Sequence, residues 1–168
     1  MWWVSEPHVW IPLYLILVGC IVWRYWNWKA VLIILISFGI AVGLSDFVAS
    51  GILKPLVCRL RPTHEPALDP IRLLHGYCGG RYGFCSSHAA NMMACATLFS
   101  LFWRKKTATA ALMAWVALVC YSRMYLGVHY PSDIIAGLLL GALFAAAAYL
   151  LASRALLWVG GAARQGGS

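Results

Sequence analysis

The chain has 168 residues, of which 62% are hydrophobic and 11% charged. A soluble domain carries about a quarter charged residues, so this composition excludes an ordinary water-soluble fold and points to one domain embedded in lipid. The formal charge of +8, from 13 basic and 5 acidic residues, suits anionic headgroups or substrates; nucleic acid is excluded as a partner because the basic residues are scattered among apolar spans and form no stripe.

Residues 1–8 include Trp2 and Trp3, too aromatic and lacking the basic flank of a cleavable signal peptide; they are expected to lie on the membrane surface. A bilayer crossing takes roughly 20 apolar residues. The first such span is predicted from about Val9 to Trp26 and the second from about Ala30 to Leu53. Asp46 interrupts the second with a carboxylate, expected to pair with a site cation or to cap a neighbouring helix, since acids inside spans are functional candidates. Residues 54–85 form the long polar loop, of a length usually functional or disordered, and its Glu65 and Asp69 are expected to shape a headgroup pocket. Three further spans follow, from about Ser87 to Trp103, Thr107 to Tyr125 and Ser132 to Leu151. Trp10, Trp23, Trp26, Trp28 and Trp103 near the span ends make the aromatic belt of an interface.

The expected fold class is therefore all-α, an integral membrane helical bundle with about five transmembrane helices and an N-terminal interfacial segment. One domain covers residues 1–159, and the Gly-rich tail 160–168 is expected to be disordered. Cys20, Cys95 and Cys120 read as small buried hydrophobes, whereas Cys58 and Cys78 could form a disulfide if their loop faces an oxidising compartment.

Orientation follows from the basic residues. Arg24 and Lys29, then Arg104, Lys105 and Lys106, then Arg154 and Arg164 all fall on one side of a five-span chain, which the positive-inside rule makes cytoplasmic. The long loop and the Arg123–Asp133 connection then face outward, so that three chemistry-bearing stretches meet at one end of the bundle: Lys54 with Arg61, Ser86 to His88, and Arg123 through His129 to Asp133.

Those stretches suit a phosphate ester. Lys54, Arg61 and Arg123 can neutralise its charge, and arginine matches phosphate bidentately. Ser86 and Ser87 open a helix, where free backbone N–H groups favour an anion. An imidazole can attack phosphorus if its other nitrogen holds the proton, and Asp133 lies about one turn above His129 to orient that proton. His88 can then protonate the leaving oxygen and activate water. His129 and Asp133, four apart, could instead ligate a metal, but no third ligand at helical spacing supports this; no metal and no cofactor is expected. His8, His64 and His75 lie outside the constellation.

Lys54 through Arg61-Pro62, Cys85-Ser86-Ser87-His88, and Ser122-Arg123 through His129 to Asp133 resemble, in order and internal spacing, the three motifs of the type 2 phosphatidic acid phosphatase superfamily. That superfamily includes bacterial lipid phosphate phosphatases and shares its motifs with vanadium haloperoxidases. The resemblance covers roughly Leu44 to Gly141. It implies an all-helical membrane bundle and metal-independent hydrolysis, with Lys54, Arg61, Arg123, Ser86 and the Ser87 backbone binding phosphate, His129 as nucleophile, Asp133 as its orienting partner and His88 as general acid. The second motif usually reads Pro-Ser-Gly-His; here Cys85 replaces the proline and Ser87 the glycine. Many membrane relatives have six spans, and the one without a counterpart here would precede Val9, so either residues 1–8 take its place or the chain is a short variant.

The expected function is hydrolysis of a membrane lipid phosphate or diphosphate through a phospho-histidine at the outer face of a bacterial inner membrane, with the active site towards the periplasm. Undecaprenyl diphosphate is favoured on generality, beside phosphatidylglycerol phosphate and a lipid A phosphate. A vanadate-dependent haloperoxidase-like enzyme and a non-catalytic lipid-binding or transport protein are the alternatives.

Overall fold

Capping residues cut the apolar sequence into helices. The structure, a computed structural model, describes residues 1–66 and 79–165. A short helix α1 (Trp2–Ser5) and a 3-10 turn lead into α2 (Ile11–Tyr25), which ends where Trp26 adopts a left-handed φ of 46°. Asn27 restarts the chain by accepting hydrogen bonds from the backbone N–H groups of Lys29 and Ala30, at 3.0 and 3.4 Å, and so caps α3 (Trp28–Asp46). A π-helical stretch, Phe47–Leu53, continues α3 into α4 (Lys54–Val57). Helix α5 (Ser87–Trp103) is capped by Ser86, α6 spans Lys106–Tyr125, and Pro131 opens α7 (Pro131–Gln165) in the first-turn position where its missing N–H costs nothing.

Among the described residues, four segments are long and apolar enough to cross a membrane: His8–Tyr25, Trp28–Val57, Lys106–Tyr125 and Pro131–Val159. The remaining predicted span, α5, is only 17 residues long but is the central helix, packed on α3, α6 and α7. Its Ala89, Ala90, Met92, Ala94, Ala96, Leu98, Phe99 and Phe102 are all buried. The outer faces carry exposed Leu15, Ile16, Leu139, Leu143 and Leu150, as a lipid-facing surface requires. The protein is thus an all-α, multi-pass membrane bundle.

Helices α5 and α7 approach closely because small residues meet. Gly137 and Gly141, four apart on α7, lie against Ser86, Ala90 and Ala94 on α5; a Cβ on Gly141 would stand 2.9 Å from the Ala90 carbonyl carbon and 3.0 Å from the Ala94 nitrogen. This small-xxx-small pairing lets two backbones touch in lipid, where van der Waals packing replaces the hydrophobic drive.

Two elements depart from expectation. Helix α7 runs past Leu151 to Gln165, into the tail expected to be disordered, because the Ala-rich sequence after Leu151 favours helix. Residues 1–8 do more than rest at an interface: α1 packs on α6, and Ser5 is buried. Asp69, His75 and Cys78, and with Cys78 the expected disulfide, lie outside the described residues, as do residues 166–168. Cys58 Sγ donates to the Pro55 carbonyl at 2.9 Å.

Candidate active site

Helix direction gathers the three motif stretches. The α3–α4 segment ends, α5 begins, α6 ends and α7 begins at the same end of the bundle, so Lys54, Ser86 to His88, Arg123, His129 and Asp133 converge there. Lys54, Arg61, Arg123 and His129 all lie within electrostatic reach of His88.

Asp133 organises one side. Its carboxylate is fully buried on the first turn of α7. Oδ2 accepts from the Tyr130 backbone N–H at 2.9 Å and lies 3.7 Å from His129 Nδ1; Oδ1 accepts from Arg59 Nη1 at 3.0 Å. The 3.7 Å approach is within ion-pair range but longer than a hydrogen bond, and among the described residues Nδ1 has no hydrogen-bond partner. A small closure would convert it into the bond that fixes the proton on Nδ1 and leaves Nε2 bare. The Asp133 carbonyl also accepts from the Ser86 N–H at 3.0 Å, tying α7 directly to the cap of α5.

His129 lies in the α6–α7 connection and is 3% exposed. Burial, aided by the charges of Arg61 and Arg123, pushes its pKa down to about 4, while Asp133 pulls the other way. The imidazole is therefore neutral through the physiological range. In histidine-selective NMR titrations we expect His129 to titrate near pH 4, and Asp133→Asn to move the midpoint lower still, because it removes the group that favours the cation. A midpoint near 6.5 would contradict this environment.

The residues expected to bind phosphate come from four segments. Lys54 Nζ donates to Ser50 Oγ at 3.2 Å and Ser87 Oγ at 3.0 Å, bridging the π-helical stretch to α5. Arg61 is 7% exposed and donates from Nε to the Tyr82 carbonyl at 3.1 Å. It is held in a short extended pairing, with Arg61 N–H on the Arg81 carbonyl and Gly83 N–H on the Arg59 carbonyl. Gly83 leaves no room for a side chain there: a Cβ would stand 3.1 Å from Asp133 Oδ2 and 3.3 Å from Arg61 Cγ. Arg123, 2% exposed at the end of α6, donates from Nη1 to Ser5 Oγ. Ser86 Oγ accepts from the Ala89 N–H at 3.4 Å, so its hydroxyl caps the helix.

Both departures in the second motif fit. Ser87 is the first residue of α5 and is not among the residues of positive φ, so its position does not require glycine. Its added hydroxyl receives Lys54. Cys85 is fully buried, and burial pushes its thiol pKa up, which makes it a neutral packing group. Among the described residues, no group of three His, Cys, Asp or Glu side chains converges.

Sequence reasoning missed Arg59 and Ser5. Arg59 donates to Ser132 Oγ at 2.7 Å and to Asp133 Oδ1, and its guanidinium lies 4.2 Å from the Tyr130 ring centre. Its signal was present: in an extended segment Arg59 and Arg61, two apart, share a face. Ser5 had none, being 118 residues from Arg123. Asp46, expected to pair with a cation or cap a helix, instead accepts from Asn91 Nδ2 at 3.1 Å.

Residues 30–156 match the family model described as the PAP2 superfamily. The chain belongs to the PAP2 superfamily. Among its PAP2 relatives, the lipid A 4'-phosphatase of Bacteroides thetaiotaomicron is 32% identical over 79% of this chain and 60% of that protein. The lipid A 4'-phosphatase of Porphyromonas gingivalis is 40% identical over 67% of this chain and 48% of that protein. The chain thus spans 48% and 60% of the length of these two curated relatives. A putative undecaprenyl-diphosphatase of Escherichia coli is 29% identical over 74% of this chain and 60% of that protein. The crystal structure of a transmembrane PAP2 type phosphatidylglycerolphosphate phosphatase from Bacillus subtilis superimposes with a TM-score of 0.60 at 24% identity, covering 89% of this chain and 70% of that one, and so shares its fold.

Proposed function

We propose that this protein hydrolyses a membrane lipid phosphate, without a metal, through a phospho-histidine on His129. The observation that supports it is the buried, neutral His129 beside Asp133, within electrostatic reach of His88, Arg61 and Arg123, with Lys54 within reach of His88. His129 Nε2 attacks phosphorus as the bond to the lipid oxygen breaks, and His88 delivers a proton to that oxygen. Water then attacks the phospho-histidine, giving its proton to His88 and releasing inorganic phosphate. Lys54, Arg61, Arg123 and the α5 N-terminus, with Ser86 and Ser87, balance the charge on the phosphoryl oxygens throughout.

Similarity to two lipid A 4'-phosphatases over most of the chain favours a lipid A phosphate, ahead of undecaprenyl diphosphate and phosphatidylglycerol phosphate. Phosphate release from each of the three lipids by the purified protein in detergent, with a chelator present, tests this. No release from any lipid would overturn the reading, and loss of release with chelator would overturn its metal independence.

Arg59 acts as a positioning residue by holding Asp133 from the side away from His129. Arg59→Ala is expected to lower kcat by about tenfold with KM nearly unchanged, as for loss of an interaction that matters in the transition state. Arg59→Lys, keeping the charge without the planar fork, should recover only part of that loss. An unchanged kcat in both variants would remove Arg59 from the site.

The site end faces the periplasm of a bacterial inner membrane, an orientation supported by Arg24, Lys29, Arg104, Lys105 and Lys106 at the opposite helix ends. A membrane-impermeant thiol reagent on intact cells should label Thr63→Cys and spare Lys105→Cys. Labelling of the latter from outside would reverse the orientation.

A further inference from the structure

The proposed chemistry leaves Asp46 without a task. It is an exposed carboxylate at the end of α3, within a segment apolar enough to cross a membrane. Such a charge is expensive in lipid and is kept where a polar partner or pathway uses it.

Its surroundings form a two-rung ladder between the α3 segment and α5. The upper rung is Lys54 Nζ, bonded to Ser50 Oγ on one element and Ser87 Oγ on the other. The lower rung is Asn91 Nδ2 donating to Asp46 Oδ1 at 3.1 Å. Asp46 is four residues before Ser50 and Asn91 four after Ser87, so the lower rung sits about one helical turn, roughly 5 Å, further into the bilayer on both elements. Asp46 is also within electrostatic reach of Lys54.

The lower rung is not saturated. Among the described residues, the buried Oδ1 of Asn91 has no hydrogen-bond partner, and the exposed Asp46 carboxylate, receiving one bond, retains acceptor capacity at both oxygens. The pair therefore offers mainly acceptor capacity, on the exposed Asp46 carboxylate, with one further N–H on the Asn91 amide. A lipid whose phosphate lies at Lys54 must pass its next chemical group by this rung on the way to its tail. A sugar or other headgroup bearing hydroxyl or amide N–H donors would satisfy the pair. A hydrocarbon chain attached directly to the phosphate would cover the carboxylate and leave Asn91 as its one neutral partner, which is the stronger discrimination of the two.

We propose that Asp46 and Asn91 form a headgroup subsite that selects lipid phosphates carrying hydrogen-bond donors next to the phosphate and rejects polyprenyl phosphates. This deepens the proposed phosphatase reading and rests on it for the placement of phosphate at Lys54. Asp46 is a specificity residue and takes no part in proton transfer.

The test reads binding and turnover separately. Affinities for a lipid A phosphate and for undecaprenyl phosphate are measured in detergent with His129→Ala protein, which holds lipid without turning it over, with and without Asp46→Leu or Asn91→Leu. The expected result is about tenfold or greater weakening for lipid A with either substitution, the loss typical of a charged or buried hydrogen bond, and unchanged or tighter binding of undecaprenyl phosphate. The same substitutions in the active protein should shift the ratio of kcat/KM between the two lipids by a similar factor, and Asp46→Asn should fall between wild type and Asp46→Leu. Parallel loss for both lipids would make the pair purely structural and overturn the proposal, as would unchanged affinities or no binding of either lipid. Selective binding that depends on Asp46, in a protein that releases no phosphate, would uphold the subsite and overturn the phosphatase reading instead.

Discussion

His129→Ala is expected to lower phosphate release by at least about 10⁴-fold, leaving a folded protein that still binds lipid phosphate. The size follows from the role: removing the nucleophile of a covalent route leaves only binding and charge stabilisation, a residual that is small beside the full rate enhancement. The separation from binding follows from geometry, because Lys54 and the α5 N-terminus belong to other elements and keep their own contacts. Asp133→Asn should fall short of this, at about 10²–10⁴-fold, since an amide can still occupy the space but no longer favours the Nδ1 proton that leaves Nε2 bare. It should also disturb Arg59, whose Nη1 would lose its anionic partner 3.0 Å away. Quenched-flow experiments with ³²P-labelled lipid check the assignment directly: acid-labile, base-stable protein label should form in wild type and be absent from His129→Ala. Label or turnover surviving in that variant would move the nucleophile elsewhere.

Gly141→Ala should cost about 10²-fold in activity while touching none of the proposed site residues. The added methyl would overlap the Ala90 carbonyl and sit 2.9 and 3.0 Å from backbone atoms of Ala90 and Ala94. Backbone cannot rotate aside as a side chain can, so α5 and α7 must separate. Overpacking of this kind costs about 1–3 kcal/mol, and a displacement of even about 1 Å at a reacting centre can cost about 10²-fold in rate. Here α5 carries His88 and α7 carries Asp133, so the same displacement pulls the site apart. We expect about 10²-fold lower kcat/KM and a lower melting temperature in detergent. Ala90→Gly should not rescue it, because the clash is with backbone and not with the Ala90 methyl. Leu139→Ala, on a lipid-facing position 68% exposed, is the control expected to change neither. Wild-type activity in Gly141→Ala would refute the close crossing.

Much of this was legible in the chain. The helices stand where the apolar runs and their caps put them, α5 to the residue, because hydrophobic length and capping are local properties. The convergence of Lys54, Ser86, His88, Arg123, His129 and Asp133 at one end followed from counting spans, since the parity of crossings fixes which connections share a side.

What stayed hidden depended on distance in sequence. Nothing in Ser5 announces that it will bond Arg123, and nothing in Asp46 announces Asn91. Arg59 has no role in the sequence pattern; the extended pairing with residues 81–83 is what turns it onto Asp133. The sequence by itself determined the membrane bundle and the chemical groups gathered at one end of it, because composition, period and crossing parity act locally or by counting. Only the tertiary structure decided which of those groups meet, because contacts between α1 and α6, α3 and α5, and α5 and α7 arise from packing of faces that the linear order does not relate.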